Sequence, residues 1–522
     1  MAKLIGFALL VALCACEAYK VLVIFPIPGK SHGILGDGII SHLLNARHEV
    51  TAVTAFSRKK SHPNLTEVVP LSNHNIFNEN TINIKAIMDK EQNFLDFSFI
   101  LELMYNLSSS TMQDSNVQKL LRDRNQRFDV IIGEWMFTEI YSTLPALYDC
   151  PFIWFSTLEP HWLVLRLIDE NLNPAYATDY LSTDIAPYPF TKRVEQLWKQ
   201  VNGYLTKIRY LNCRNPFEQL YHNLLAPILR ERGKIVPAYE DLMFNATLML
   251  GNSHVSLGLA PKLPQSYKPI GGYHIDPNTN PLPQDLKKIL DSSKQGFVYF
   301  SMGSNLKSKD IPQNLKEKFI KIFGKLKQTV IWKFEEVLPN LPKNVHILTW
   351  APQQSILAHP NCVLFITHGG LLSTTEAVHF GKPIIGIPVF ADQFGNVDKA
   401  VRKGFARRID LSYTMDKDLE IEINEIVGNP KYAQKAKEWS FIYHHRPATP
   451  SQELVHWVEH VVETKGSTHF RSPALLVPWY QKLYLDLMIL LIIGLIVAVV
   501  ILKNVLSVVL SSSKNYEKKK NL

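Results

Sequence analysis

The sequence predicts an α/β protein of two Rossmann-like parallel-sheet domains facing a cleft, followed by one membrane-spanning helix. Three observations carry this prediction. In two separate parts of the chain, short apolar runs rich in Val, Ile and Phe alternate with helical stretches, as buried parallel strands and their crossovers require. A proline-punctuated stretch, DPNTNPLP from Asp276 to Pro283, separates the two parts. Much later an uncharged apolar run, Leu487 to Leu502, continues past Lys503 to Leu510.

In chain order, residues 1–18 hold Lys3, an apolar run from Leu4 to Leu13 and then small residues, the pattern of a cleavable signal peptide. The first domain spans 19–275. It opens with a strand at Lys20 to Phe25, a loop at Pro26 to Gly38, a helix at Ile39 to Ala46 and a strand at His48 to Val53. The loop glycines, Gly29, Gly33, Gly36 and Gly38, do not have the G-x-G-x-x-G spacing, which argues against a nicotinamide dinucleotide. His32 falls in this loop, at the carboxyl end of the first strand, where open α/β sheets put their chemistry. A later strand, Asp129 to Gly133, is followed by Glu134. From Ser57 to Arg127 and from Leu158 to Asn245 the alternation lapses, and aromatics such as Phe99, Tyr105, Trp162 and Trp198 recur. They suit either core packing or the wall of an apolar pocket.

The linker at 276–283 leads into a second domain at 284–483, with a strand at Phe297 to Ser301, the loop Met302-Gly303-Ser304, a helix at Gln313 to Leu326 and a strand at Val330 to Lys333. The most informative stretch is Trp350 to Gln393. Strands at Cys362 to Ile366 and Pro383 to Pro388 flank a helix at Leu371 to Phe380, which begins just after His368, Gly369 and Gly370. A helix start offers unpaired N–H groups and positive dipole to a phosphate, and glycine lets it come close. Ser373 adds a hydroxyl for a phosphate, and Glu376, one helical step further, adds a carboxylate for a ribose diol. Trp350 presents a flat face to a base, Gln353 a donor and an acceptor to its edge, and Asp392 with Gln393 suits sugar hydroxyls. Together they describe a nucleotide-sugar site.

The spacing of these eight residues, Trp350, Gln353, His368, Gly370, Ser373, Glu376, Asp392 and Gln393, resembles the signature of the UDP-glycosyltransferase family, and HGGLLST is most similar to insect members. The resemblance implies the GT-B arrangement of two Rossmann-like domains. It also implies that Trp350 and Gln353 hold uracil, His368 and Ser373 the diphosphate, Glu376 the ribose, and Asp392 and Gln393 the sugar, with Gly303 and Ser304 near the diphosphate. By the same resemblance His32 is the general base and Glu134 stands where the family has an aspartate orienting that base; Asp129 is the fallback, at the wrong end of its strand. Leu372 replaces the family's frequent asparagine. The implied reaction is inverting transfer of a hexose, expected to be glucose, from a UDP-sugar to a hydroxyl of a small lipophilic acceptor. The alternative is a nucleotide-sugar or lipid-binding membrane protein without catalysis.

The apolar run, expected to span the membrane at 484–503, has Trp479, Tyr480 and Tyr484 before it and lysines at 514 and 518–520 after it. By the positive-inside rule the tail, 504–522, is cytosolic and the bulk of the chain lumenal. Lys519 and Lys520 look like a dilysine retrieval signal, so the endoplasmic reticulum membrane is the expected location, with one pass of type I. Sequons at Asn64, Asn106 and Asn245 fit a lumenal glycoprotein. Of the formal charge of +9, the tail carries much, and no compact basic patch suggests nucleic acid. Beyond Cys14 and Cys16, three scattered cysteines, Cys150, Cys213 and Cys362, make neither a disulfide framework nor a zinc motif. Asp416-Lys417-Asp418 formally reads DxD but sits at a helix start, so no catalytic metal is expected and no cofactor beyond the UDP-sugar; an oligomer is compatible with the sequence.

Overall fold

Parallel pairing is the rule in the computed structural model, which describes residues 18–78, 81–91, 97–168, 173–176, 184, 186–210, 216–304 and 306–520. Cys213 and all but the last residue of the expected signal peptide lie outside the described residues. The first sheet has seven strands: β1 (Lys20–Phe25), β2 (Glu49–Thr54), β3 (Leu65–Val68), β4 (Val130–Trp135), β5 (Phe152–Ser156), β6 (Leu248–Gly251) and β7 (Tyr267–Pro269). Their order is β3-β2-β1-β4-β5-β6-β7. The second sheet has six: β8 (Phe297–Ser301), β9 (Thr329–Lys333), β10 (Val345–Leu348), β11 (Cys362–Thr367), β12 (Ile384–Gly386) and β13 (Ala406–Arg408), ordered β10-β9-β8-β11-β12-β13. The strand order reverses between β1 and β4 in one sheet and between β8 and β11 in the other. These are the switch points at which crossover helices diverge and leave a crevice.

Both sheets are sandwiched by helices, so their central strands are apolar on both faces. β1, β4, β5 and β8 are buried almost without interruption. In the second sheet Trp332 stacks on Phe300 with ring centroids 5.4 Å apart, and Phe319 and Phe323 close over them from the helix Gln313–Lys325.

The first helix begins at Lys30, not at Ile39, so His32 lies in its first turn rather than in a loop. The glycines that read as loop residues are there for close packing. A Cβ at Gly33 would come within 2.7 Å of the Phe56 ring, one at Gly36 within 3.0 Å of Phe25, and one at Gly38 within 2.9 Å of Tyr273. The strand carrying Glu134 also runs further than expected, making Glu134 its penultimate residue. Asp129, just before that strand, accepts from the backbone N–H of Lys20 at 2.7 Å, at the opposite end of the sheet.

After the second sheet the chain returns to the first. The helix Pro450–Glu463 starts in a capping box, Thr449 with Gln452, and has proline in its first turn. Its Leu454, Val458 and Val461, one helical face, are fully buried with Val21, Val23, Ile39 and Leu43 of the first sheet's core. Further contacts tie the two lobes: Lys399 pairs with Glu159, Lys403 Nζ donates to the Gly258 carbonyl at 3.0 Å, and the Tyr443 hydroxyl donates to the Gly271 carbonyl at 3.2 Å.

This folded unit ends at Arg471, and residues from Ser472 form a separate unit. The latter is dominated by one helix, Leu485–Lys520, of which Leu485–Ser511 is long and apolar enough to cross a membrane, with a mean hydropathy of 3.2 over its most apolar 18 residues. The helix continues through Lys503 to Lys520, with neither proline nor glycine in the sequence from there on.

Leu454→Ala is expected to lower the stability of the folded unit by about 2–5 kcal/mol, the usual cost of emptying a buried leucine site. A fall in the thermal unfolding temperature of the full chain, with loss of protection in β1 by hydrogen exchange, is the readout.

Candidate active site

One half of the site grows from the switch point of the first sheet. β1 delivers the chain to the helix Lys30–Asn45, and the neighbouring β4 carries Glu134 beneath its first turn. The Glu134 carboxylate meets Nδ1 of His32 through Oε1; its Oε2 is buried without a hydrogen-bond partner. Glu134 is 1% exposed, whereas 17% of the His32 side chain remains accessible. The pairing holds the imidazole by Nδ1, and His32 lines the cleft; a general base held in this way would keep Nε2 to accept a proton.

The other half grows from the switch point of the second sheet, after β8 and β11. Gly303 (φ 83°) and Gly369 (φ 79°) adopt the left-handed region, and Gly303 and Gly370 press so closely on the His368 ring that a Cβ at either would overlap it. Burial, reinforced by the positive charge of Lys333, pushes the His368 imidazole down to about 4, so it is neutral at physiological pH. The helix Leu371–His379 starts immediately beyond, with Gly370 at its N-cap and no side chain capping it. Its leading N–H groups are therefore available to an anion.

Along that helix Ser373 and Glu376 are both buried. Gln353 Nε2 donates to Ser373 Oγ at 3.2 Å and to Glu376 Oε2 at 2.5 Å, and Gln354 Nε2 donates to Glu376 Oε1 at 3.2 Å. The Tyr299 hydroxyl donates to Gln353 Oε1 at 3.2 Å. Burial lifts the Glu376 carboxyl to about 7, against these amide donors, which pull it down. Each carboxylate oxygen still has a lone pair to offer, so the network orients Glu376 without blocking it.

Asp392 accepts from Asn396 Nδ2 at 2.8 Å, and burial holds its carboxyl above the usual range. The Gln393 carbonyl oxygen is occupied by the backbone N–H groups of Val389, at 2.8 Å, and Phe390, at 3.1 Å. Of its side-chain groups the NH₂ is the one left for a ligand. Trp350 is 62% exposed at the rim, with the Lys30 ammonium of the opposite lobe 5.5 Å from its ring centroid.

His32, Ser304, Trp350, Gln353, His368, Gly370, Ser373, Glu376, Asp392 and Gln393 all line one cavity of about 660 Å³ between the lobes, and Glu134 stands directly behind His32. Its first-lobe wall is apolar, made by Ile34, Phe99, Ile100, Leu103, Met104 and Phe137. Among the described residues no three His, Cys, Asp or Glu side chains gather as metal ligands. Asp416 and Asp418 lie in the first turn of the helix Met415–Gly428, where Asp416 accepts from Lys318 at 3.0 Å.

With this geometry as background, the family model described as "UDP-glucoronosyl and UDP-glucosyl transferase" matches residues 20–520. The chain belongs to the UDP-glycosyltransferase family. It is 32% identical over 496 residues to UDP-glycosyltransferase UGT5 of Dactylopius coccus, covering 91% of this chain and 89% of that one. To human UDP-glucuronosyltransferase 3A2 it is 28% identical over 514 residues, 94% and 93% of the two chains. Among solved structures, CalG4, the calicheamicin glycosyltransferase, superposes with a TM-score of 0.55 at 14% identity, covering 85% of this chain and 98% of that one, a likeness of fold. As a UDP-glycosyltransferase the chain is an enzyme of glycosyl transfer whose two sheets form the GT-B pair of domains.

Sequence reasoning missed several residues of this UDP-glycosyltransferase site. Gln354 shares the grip on Glu376, Tyr299 orients Gln353, and Asn396 joins Asp392 to the Gly369 carbonyl, at 3.1 Å from the latter. Asn396 stands four residues after Asp392 in a helical stretch, a spacing that marks it as a neighbour. No sequence signal points to Tyr299, which reaches the site only through sheet register.

Glu376 makes the site pH-sensitive. Its carboxyl rises from an ordinary 4.5 to about 7 on folding, so the folded state holds the proton more tightly, and the stability this contributes is lost as pH rises through about 7. Glu376→Gln is therefore expected to gain thermal stability relative to the parent as pH increases from about 5 to about 8. Paired melting curves of the unliganded proteins check this; a difference that does not change with pH refutes it.

Proposed function

We propose that this UDP-glycosyltransferase transfers a hexose, preferentially glucose, from a UDP-sugar to a hydroxyl of a small lipophilic acceptor with inversion at the anomeric carbon. The observation that carries this reading is the shared cavity, onto which an imidazole from one lobe and a glycine-flanked helix start from the other both open. His32 Nε2 removes the acceptor proton, while the Glu134 carboxylate stabilises the imidazolium that results. The developing charge on the departing UDP is met by the N–H groups after Gly370 and by Ser373, a preorganised electrostatic stabilisation that requires no metal. Trp350 and Gln353 take the uracil, Glu376 the ribose, and Asp392 with the Gln393 NH₂ the sugar hydroxyls, with Ser304 near the diphosphate.

The apolar wall supports a lipophilic acceptor. A neutral sugar is supported by Lys333, which lines the cavity but is already paired with Glu335 at 2.7 Å and has no free charge for a donor carboxylate. A relative from Dactylopius coccus, 28% identical over 510 residues, is named UDP-glucosyltransferase 2. The helix Leu485–Ser511 anchors the enzyme in a membrane, and the lysines beyond it favour a cytosolic tail and a lumenal catalytic unit, in the endoplasmic reticulum.

His32→Ala is expected to reduce turnover about 10²–10⁴-fold, the range for loss of a general base, while UDP affinity stays at the parental value. Product formation from UDP-glucose and a panel of phenols, alongside calorimetric UDP binding, separates the two. Parental turnover would remove His32 from the mechanism.

A further inference from the structure

His274 is an imidazole enclosed beside the nucleotide site. Its side chain is inaccessible to solvent, and among the described residues neither ring nitrogen has a hydrogen-bond partner. Burial, reinforced by the neighbouring His379, pushes it down to about 3, so it is neutral, with one N–H and one bare nitrogen to satisfy. Leaving such groups unpaired in an interior is costly, and each instance calls for a reason. Nε2 stands 3.9 Å from Oε1 of Glu376, just outside hydrogen-bond range.

The backbone around His274 is already fastened to that carboxylate. Gln354 Nε2 donates both to the His274 carbonyl, at 3.3 Å, and to Glu376 Oε1, at 3.2 Å, while Gln354 Oε1 accepts from the Asp276 N–H at 3.1 Å. On the other side Tyr273 is pinned to the first lobe, its hydroxyl donating to the Leu35 carbonyl at 2.9 Å and its carbonyl accepting from His42 Nε2 at 2.7 Å. His274 thus approaches the second lobe's site from the stretch between β7 and the linker. A ribose hydroxyl donates most strongly to an ionised carboxylate, whereas burial favours the neutral acid at Glu376. Ionisation in that enclosure therefore calls for one more donor. We propose that His274 is a positioning residue for the donor substrate: when the ribose diol of a UDP-sugar binds, the His274 Nε2–H closes on Glu376 Oε1 and holds the carboxylate ionised toward the diol. Oε1 then accepts from Gln354 and His274, and Oε2, held by Gln353, keeps a lone pair for a ribose hydroxyl. This inference rests on the reading of Glu376 as the ribose group.

Calorimetric affinities of the full chain for UDP and for dideoxy-UDP, which lacks the ribose diol, isolate the contact. The parent is expected to prefer UDP and Glu376→Ala to lose that preference; a preference kept by Glu376→Ala overturns the ribose reading and the inference with it. Glutamine carries its amide nitrogen about as far from the backbone as histidine carries Nε2, whereas asparagine reaches only as far as Nδ1. His274→Leu and His274→Asn are expected to weaken UDP about 10–100-fold, the range for a hydrogen bond to a charged group, with dideoxy-UDP bound at the parental affinity. His274→Gln is expected to recover most of the loss. If Glu376→Ala abolishes the preference but His274→Leu and His274→Asn retain it, the inference alone falls. Equal losses for both nucleotides, or a Gln variant as weak as the Asn variant, show a merely structural imidazole and overturn it as well. Should His274→Leu fail to fold, Asn against Gln decides.

Discussion

A buried carboxylate with a single partner governs the first lobe's share of the cleft. Glu134 is almost fully enclosed, and its Oε2 is buried without a hydrogen-bond partner. Burying a charge in that way is costly unless it is compensated, and the compensation here is His32. The pair explains why the helix after β1 must begin as early as Lys30, since only the first helical turn brings the imidazole over β4. The glycines of that helix then follow, because a helix lowered onto β1 needs small residues where it meets Phe25, Phe56 and Tyr273.

The second lobe answers with a neutral site. His368 is kept uncharged by burial and Glu376 is poised close to neutrality, so the nucleotide pocket holds little fixed charge of its own. On the proposed reading, attraction for a diphosphate would fall to oriented N–H groups and hydroxyls, which need no reorganisation as charge shifts onto the leaving group. The deeper network of Gln353, Gln354 and Tyr299 secures the Glu376 carboxylate, the group proposed for the ribose. Its members come from β8, from the helix Gln353–Ala358 and from the helix Leu371–His379, so three elements must register before the site is complete.

Much of this was legible in the sequence because the signature from Trp350 to Gln393 is local: its residues lie on consecutive elements, and spacing alone brings them together. β8 was read to the residue, Phe297 to Ser301, for a similar reason, since apolar period and flanking breakers coincide. Legibility failed where two meanings share one residue type. Glycines in IPGKSHGILGDG signalled a loop by propensity but serve helix packing, and only the positions of Phe56 and Tyr273 decide between those uses. β5, FIWFS, was passed over although Pro151 introduces an uninterrupted apolar run. Gln354, Tyr299 and Lys333 were silent, as their roles depend on which strand lies beside which.

The return of Pro450–Glu463 to the first sheet also has a meaning for how the molecule can be divided. The first lobe is not a continuous piece of chain: it is completed by residues about 170 positions beyond the linker at 276–283. A chimera spliced at the linker would unite one parent's sheet with another parent's covering helix, and Leu454, Val458 and Val461 would face side chains with which they had never been matched. Exchanging acceptor halves between relatives therefore requires two junctions rather than one.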